Sequence, residues 1–119
     1  FSNTKFNDDS TFKYAEFKKN ISFKNTLFDD SSTFKYTEFN HFVSFKNAVF
    51  SESAIFKYTE FKNGVSFENV KFNQDLNIKY TKVSGDFNIT GMEVNFDIDS
   101  KYTSINGKSF SKHLLKSKN

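Results

Sequence analysis

Large apolar residues recur along this chain at alternating intervals of five and six, a rhythm that closes on itself every 22 residues. Phe1, Phe23, Phe45, Phe67 and Ile89 share one column of that frame, and Phe6, Phe28, Phe50, Phe72 and Val94 a second. The third is Phe12, Phe34, Phe56, Ile78 and Ser100, and the fourth is Phe17, Phe39, Phe61, Val83 and Ile105. Two positions before each column runs a stripe of smaller residues, among them Ala15, Ile21, Thr37, Val43, Ala54, Thr59, Val65 and Leu76. Side chains on an extended backbone repeat every two residues, so each small–large pair shares one side of a short strand. A helix face would need intervals of three and four. Four such strands joined by four corners make one turn, and five turns account for residues 1–110. The pattern therefore predicts an all-β parallel solenoid with an aromatic core: Phe6, Phe12, Phe17, Phe23, Phe28, Phe34, Phe39, Phe45, Phe50, Phe56, Phe61, Phe67 and Phe72.

The units Ala48-Val49-Phe50, Ala54-Ile55-Phe56 and Thr59-Glu60-Phe61 carry a small residue, a middle residue and a central Phe. In this the chain resembles the pentapeptide-repeat family, from residue 1 to about residue 105. The resemblance implies a right-handed quadrilateral parallel β-helix. Here every second unit has six residues, the extra residue falling within 7–11, 18–22, 29–33, 40–44, 51–55 and 62–66. Those segments lie on opposite sides of the coil, which keeps its cross-section balanced.

The corners carry turn signals. Asn3, Asn25, Asn47, Asn69 and Gly91 form one column, and Asn and Gly alternate where a turn needs positive φ. Gly64, Gly85 and Gly107 fall in the fourth corner, and Pro is absent, as expected where backbone N–H groups enter ladders. Toward the C-terminus the pattern weakens: Ile and Val replace Phe, and Phe87 and Phe96 leave the columns. Residues 109–115 read as a short helix, capped by Ser109 or Ser111, that covers the last coil. The division is thus a solenoid over 1–108 and a cap helix with its tail over 109–119. The first coil opens directly on a central Phe. Either a longer solenoid precedes it or that uncapped end meets a second copy, so a homodimer is one expected assembly.

Composition narrows the chemistry. The 119 residues include 18 Phe, five Tyr and 17 Lys, with no Cys, Trp or Arg, and the net charge is +3. Without Cys there is no disulfide framework, thiolate metal site or thiol nucleophile. No apolar run has membrane-spanning length and no charged-then-apolar leader opens the chain, which favours a cytoplasmic setting. His41 lies on a corner and His113 in the tail, neither beside a nucleophile or a ligand pattern. Ser22, Ser44 and Ser66 form an outward ladder with no base beside it, so no catalytic residues and no cofactor are expected. Asp8, Asp9, Asp29, Asp30, Glu52, Asp75 and Asp97 cluster on the second corner but lack Ca²⁺-loop spacing, so no metal is expected.

The most regular outer feature pairs Tyr14, Tyr36, Tyr58, Tyr80 and Tyr102 with Lys13, Lys35, Lys57, Lys79 and Lys101. A ladder of rings and cations can engage a glycan or a polyanion, but coverage of the coil by stacked Tyr and Lys stems is the favoured reading. Glu16, Glu38 and Glu60 run nearby. The favoured function is a non-catalytic scaffold or protein-interaction module. Some pentapeptide-repeat proteins imitate DNA and inhibit DNA gyrase, but a net charge of +3 argues against that here. Nucleic-acid binding is disfavoured as well, because no guanidinium is available to fork onto phosphates or bases.

Overall fold

The computed structural model describes residues 1–110, and up to Ser109 every regular element is a strand of two residues. The first coil contains Lys5–Phe6, Ser10–Thr11, Glu16–Phe17 and Ile21–Ser22. Each pairs in parallel with the strand 22 residues later, setting Phe6 beside Phe28, Ser10 beside Ser32, Phe17 beside Phe39 and Ile21 beside Val43. Repetition of that step builds four sheets, one for each face of a four-sided solenoid. Their last parallel strands are Glu93–Val94, Ile98–Asp99, Ser104–Ile105 and Phe87–Asn88 respectively. With only two residues per strand, one side chain points inward and one outward, and the backbone groups bond to the coils above and below. Leu27 N–H, for example, donates to Thr4 O at 2.9 Å and Phe12 N–H to Thr33 O at 2.8 Å.

The interior is filled with rings. Phe23, Phe28, Phe34, Phe39, Phe45, Phe50 and Phe56 have no exposed surface, Phe61, Phe67 and Phe72 are buried, and Phe6, Phe12 and Phe17 of the first coil are half-buried. Along the axis the rings stack, with Phe34 lying 4.7 Å from Phe56 and their planes 3° apart. Across the axis they meet edge to face, as Phe34 does with Phe45 at 5.6 Å and 89°. Both arrangements avoid opposing the negative ring faces squarely.

Two corners of each coil are tight turns half a coil apart. In one, Ala48 N–H donates to Phe45 O at 2.9 Å and Asn47 has a φ of 62°; in the other, Thr59 N–H donates to Phe56 O at 3.1 Å and Tyr58 has a φ of 59°. A positive φ at the third residue alone defines a type II turn. The carbonyl at the head of each Tyr-bearing turn takes a second bond from the coil above. Thr37 Oγ1 donates to Phe12 O at 2.7 Å and Thr59 Oγ1 to Phe34 O at 2.6 Å, and Thr81 and Thr103 repeat the contact with Phe56 O and Ile78 O. That is why Thr occupies a buried stripe that otherwise holds Ala, Val and Leu: a buried hydroxyl is tolerated when it is bonded.

The end of the solenoid differs from the sequence reading. Asn106 and Gly107, at φ 52° and 80°, turn the chain back so that Lys108–Ser109 pairs antiparallel with Ser104–Ile105. Two successive positive φ values make this a hairpin turn. Ser109 is therefore in a strand, and the remainder of the expected helix, from residue 111, lies outside the described residues. Phe110 is buried against Phe87, at 6.0 Å and 72°. Phe87 stands in the small-residue stripe, in register with Val65, and restores volume where Val83 and Ile89 succeed Phe61 and Phe67. The void left among Phe61, Val83, Phe87, Ile105 and Phe110 is ≈ 10 Å³, no larger than one water.

Candidate functional site

The tyrosine column occupies a position that its residue type does not explain. Tyr14, Tyr36, Tyr58, Tyr80 and Tyr102 all have left-handed backbone, with φ between 59° and 63°. A bulky residue there costs about 1–2 kcal/mol relative to right-handed backbone. On the opposite corner the same turn position holds Asn or Gly, which tolerate it, and there the amides bond to one another: Asn25 Nδ2 donates to Asn3 Oδ1 at 3.1 Å and Asn47 Nδ2 to Asn25 Oδ1 at 3.2 Å. Geometry thus requires neither Tyr nor an aromatic ring.

What the tyrosines do is stack. Their ring centroids are 5.0, 4.8, 4.7 and 4.9 Å apart from Tyr14 to Tyr102, with planes between 1° and 18° of parallel. Exposure is 38–39% for the three middle rings but 68% for Tyr14 and 72% for Tyr102, because each middle ring has both faces covered by its neighbours. The ladder presents ring edges and phenol hydroxyls outward, and no protein hydrogen bond engages those hydroxyls among the described residues. The Nζ groups of Lys13, Lys35, Lys57 and Lys79 lie 5.3–5.8 Å from the centroid of the following ring.

These lysines have no carboxylate partner among the described residues; the carboxylates of Glu68 and Glu38 pair instead with Lys46 at 3.3 Å and Lys62 at 3.5 Å. Two of the three nearby acids are engaged elsewhere: Glu38 pairs with Lys62, and Glu16 accepts from Asn40 Nδ2 at 3.2 Å, both on the next corner, while Glu60 forms no ion pair with the ladder. In the later coils Lys82 and Ser104 replace Glu in that column. Neighbouring ammonium groups one coil apart repel by about 0.9 kcal/mol in water.

The other sequence candidates resolve into structure. Ser22 is half-buried and Ser44 and Ser66 are buried, and each oxygen accepts the N–H two residues on, at 3.2 Å, from Lys24, Lys46 and Glu68. Thr11, Thr33, Asn77 and Asp99 do the same for Lys13, Lys35, Lys79 and Lys101. Such side-chain turns prepare the tight turn that follows. On the acidic corner, Asp97 N–H donates to Asp75 Oδ1 at 3.1 Å, and the described residues include no trio of acids or histidines arranged to hold a metal. Asp9 faces Asp30 of the next coil; their shared hydrogen bond and mutual repulsion raise the Asp9 carboxyl above its ordinary value. His41 is exposed on the fourth corner, and His113 lies outside the described residues.

The regularity of the ladder is complete. Of the 22 positions in the repeat, only those of Lys13 and Tyr14 hold a single residue type in all five coils. The core column beside them drifts from Phe12, Phe34 and Phe56 to Ile78 and Ser100. The slot equivalent to the lysine on the Asn corner holds Ser2, Lys24, Lys46, Glu68 and Thr90.

Residues 34–82 match the family model described as pentapeptide repeats (9 copies). No curated protein and no solved structure matches the chain.

Proposed function

From the premise that this chain carries pentapeptide repeats, we propose that it is a non-catalytic scaffold presenting the Lys–Tyr corner to a macromolecular partner. One observation carries the reading. The corner pair is kept in every coil, although the same turn elsewhere accepts other residues and the adjacent core drifts. The filled solenoid serves as a ruler that sets exposed groups at the spacing of its coils, about 4.8 Å.

Replacement of Tyr58 by Asn tests this. The change removes two ring stacks, worth about 0.5–1.5 kcal/mol each, and a cation–π contact of about 0.5–1 kcal/mol. It also relieves roughly 1–2 kcal/mol of backbone cost. A net loss of at most about 3 kcal/mol in urea denaturation is expected, since the fold does not depend on the corner. A loss equal to that of Phe56→Ala would make the ladder a spine of the fold and end this reading. Self-association of the end bearing Phe1, Phe6, Phe12 and Phe17 belongs to the same proposal. Sedimentation equilibrium at micromolar protein should give a dimer mass; a monomer would remove it.

A further inference from the structure

We propose that the Lys–Tyr corner binds an extended anionic polysaccharide along the axis of the solenoid. The inference rests on the scaffold reading above and names the class of partner. Five ammonium groups line one edge with no carboxylate partner among the described residues, and five phenol hydroxyls without protein partners line it beside them. Of the three acids nearest the edge, Glu16 and Glu38 are committed to Asn40 and Lys62, and Glu60 forms no ion pair with its lysines. An edge of repelling, uncompensated cations and idle donors is completed by a ligand that brings one anionic or hydroxyl group to each coil.

Ring orientation selects among the polyanions. Single-stranded nucleic acid gains most of its affinity from bases stacked on aromatic faces. The middle rings here have both faces against one another, at 4.7–5.0 Å, so no base can enter without splitting the ladder. Reading of a duplex relies largely on bidentate Arg contacts, and the chain contains no Arg. A folded protein partner gains hot-spot energy from tyrosines inserted into its pockets, whereas the middle rings here are held face to face and present only their rims. Sulfates, carboxylates and hydroxyls on a linear sugar chain match such a row: the ammonium groups take the charges and the phenols donate to sugar oxygens. Binding is also expected to favour the C-terminal half, where Lys82 joins Lys79 and Lys101 in place of the glutamates.

Calorimetric titration of the protein with heparin, polygalacturonate and a dT20 oligonucleotide, at 50 and 200 mM NaCl, tests the proposal. The corner variant Lys35→Gln/Lys57→Gln/Lys79→Gln is compared with Lys18→Gln/Lys19→Gln/Lys71→Gln, which removes the same charge from other faces. The expected result is that the sulfated or carboxylated glycan binds more tightly than dT20. The corner variant should weaken it at least tenfold and flatten its salt dependence, and the control variant should change it less than threefold. Sulfate or carboxylate as the preferred anion is read from the two glycan arms. Equal losses in both variants would mean diffuse charge attraction and overturn the site. Tighter binding of dT20 would transfer the corner to nucleic acid, and no binding by either glycan would end the proposal. Each failure leaves the scaffold reading to be judged by the stability of Tyr58→Asn.

Discussion

Phe56→Ala should destabilise this protein more than Phe12→Ala, although the two residues share a column and begin with the same side chain. Phe56 has no exposed surface, stacks on Phe34 at 4.7 Å and meets the rings of Phe45, Phe50 and Phe67 edge to face at 5.6, 6.0 and 5.5 Å. Its neighbours thus come from the second, third and fourth coils. Removing a fully buried ring costs about 3–5 kcal/mol, because transfer and cavity terms add. Phe12 also stacks on one ring, Phe34 at 4.8 Å, but is half-buried and touches only the first two coils. Burial scales the transfer term, so its loss should be roughly half as large, about 1.5–2.5 kcal/mol. In a solenoid, stability sums over neighbouring coils, and a defect in the first coil frays locally while one in the third divides the stack. Urea denaturation followed by far-UV circular dichroism measures both, and the slope distinguishes a lost coil from a lost contact. Equal losses, or a loss below about 1 kcal/mol for Phe56→Ala, would refute a continuous ring-filled axis.

Other predictions probe single elements. Thr59→Val removes the donor to Phe34 O and leaves that buried carbonyl with only its turn bond; a loss of about 0.5–1.5 kcal/mol is expected, with Thr59→Ser keeping most of it in the same melt. Gly64 has φ +89°, and an added Cβ would sit 2.8 Å from Asp86 O and 3.3 Å from the Phe42 ring. Gly64→Ala should therefore lower the melting temperature by clearly more than Gly107→Ala, where φ is +80° but nothing lies within 4 Å. For Asp9, the folded-state pKa is raised by Asp30 first and by Asp8 to a lesser degree, so its contribution to stability is present below the ordinary value of 3.8 and lost as pH rises through the folded pKa. Asp9→Asn should accordingly raise the melting temperature at pH 7 and not at pH 3; an increase at both would assign the effect to something other than charge.

The parts of this fold visible in the sequence are those in which one physical requirement recurs. Burial demands a large apolar group every five or six residues, so the Phe columns were legible, and positive φ demands Asn or Gly, so the corner of Asn3 was legible too. Tyr14 occupies the equivalent turn but is not a turn residue by type, and its backbone conformation was hidden for that reason. The clue lay in spacing: Tyr14 falls 11 residues after Asn3 and 11 before Asn25, so the coil is a doubled half-turn. Side-chain oxygens of Ser22, Ser44 and Ser66 looked idle because their acceptor role depends on a local N–H that only the folded corner presents. At the other end, the Asn106-Gly107 pair is a hairpin signal, and Lys108–Ser109 forms a strand because the last sheet edge offers it a partner, so Ser109 does not begin the expected helix.

Whether the invariant pair serves a ligand or the fold can be read directly from a library randomised at Lys57 and Tyr58 and sorted for resistance to proteolysis. Resistance tracks the population of open forms and so reports stability without any ligand. If the corner is kept for binding, many pairs should match or exceed the parent, with Asn or Gly enriched at position 58 because of its left-handed backbone. Recovery of Lys–Tyr alone as the most resistant pair would show that the fold itself selects it, and would contradict the account.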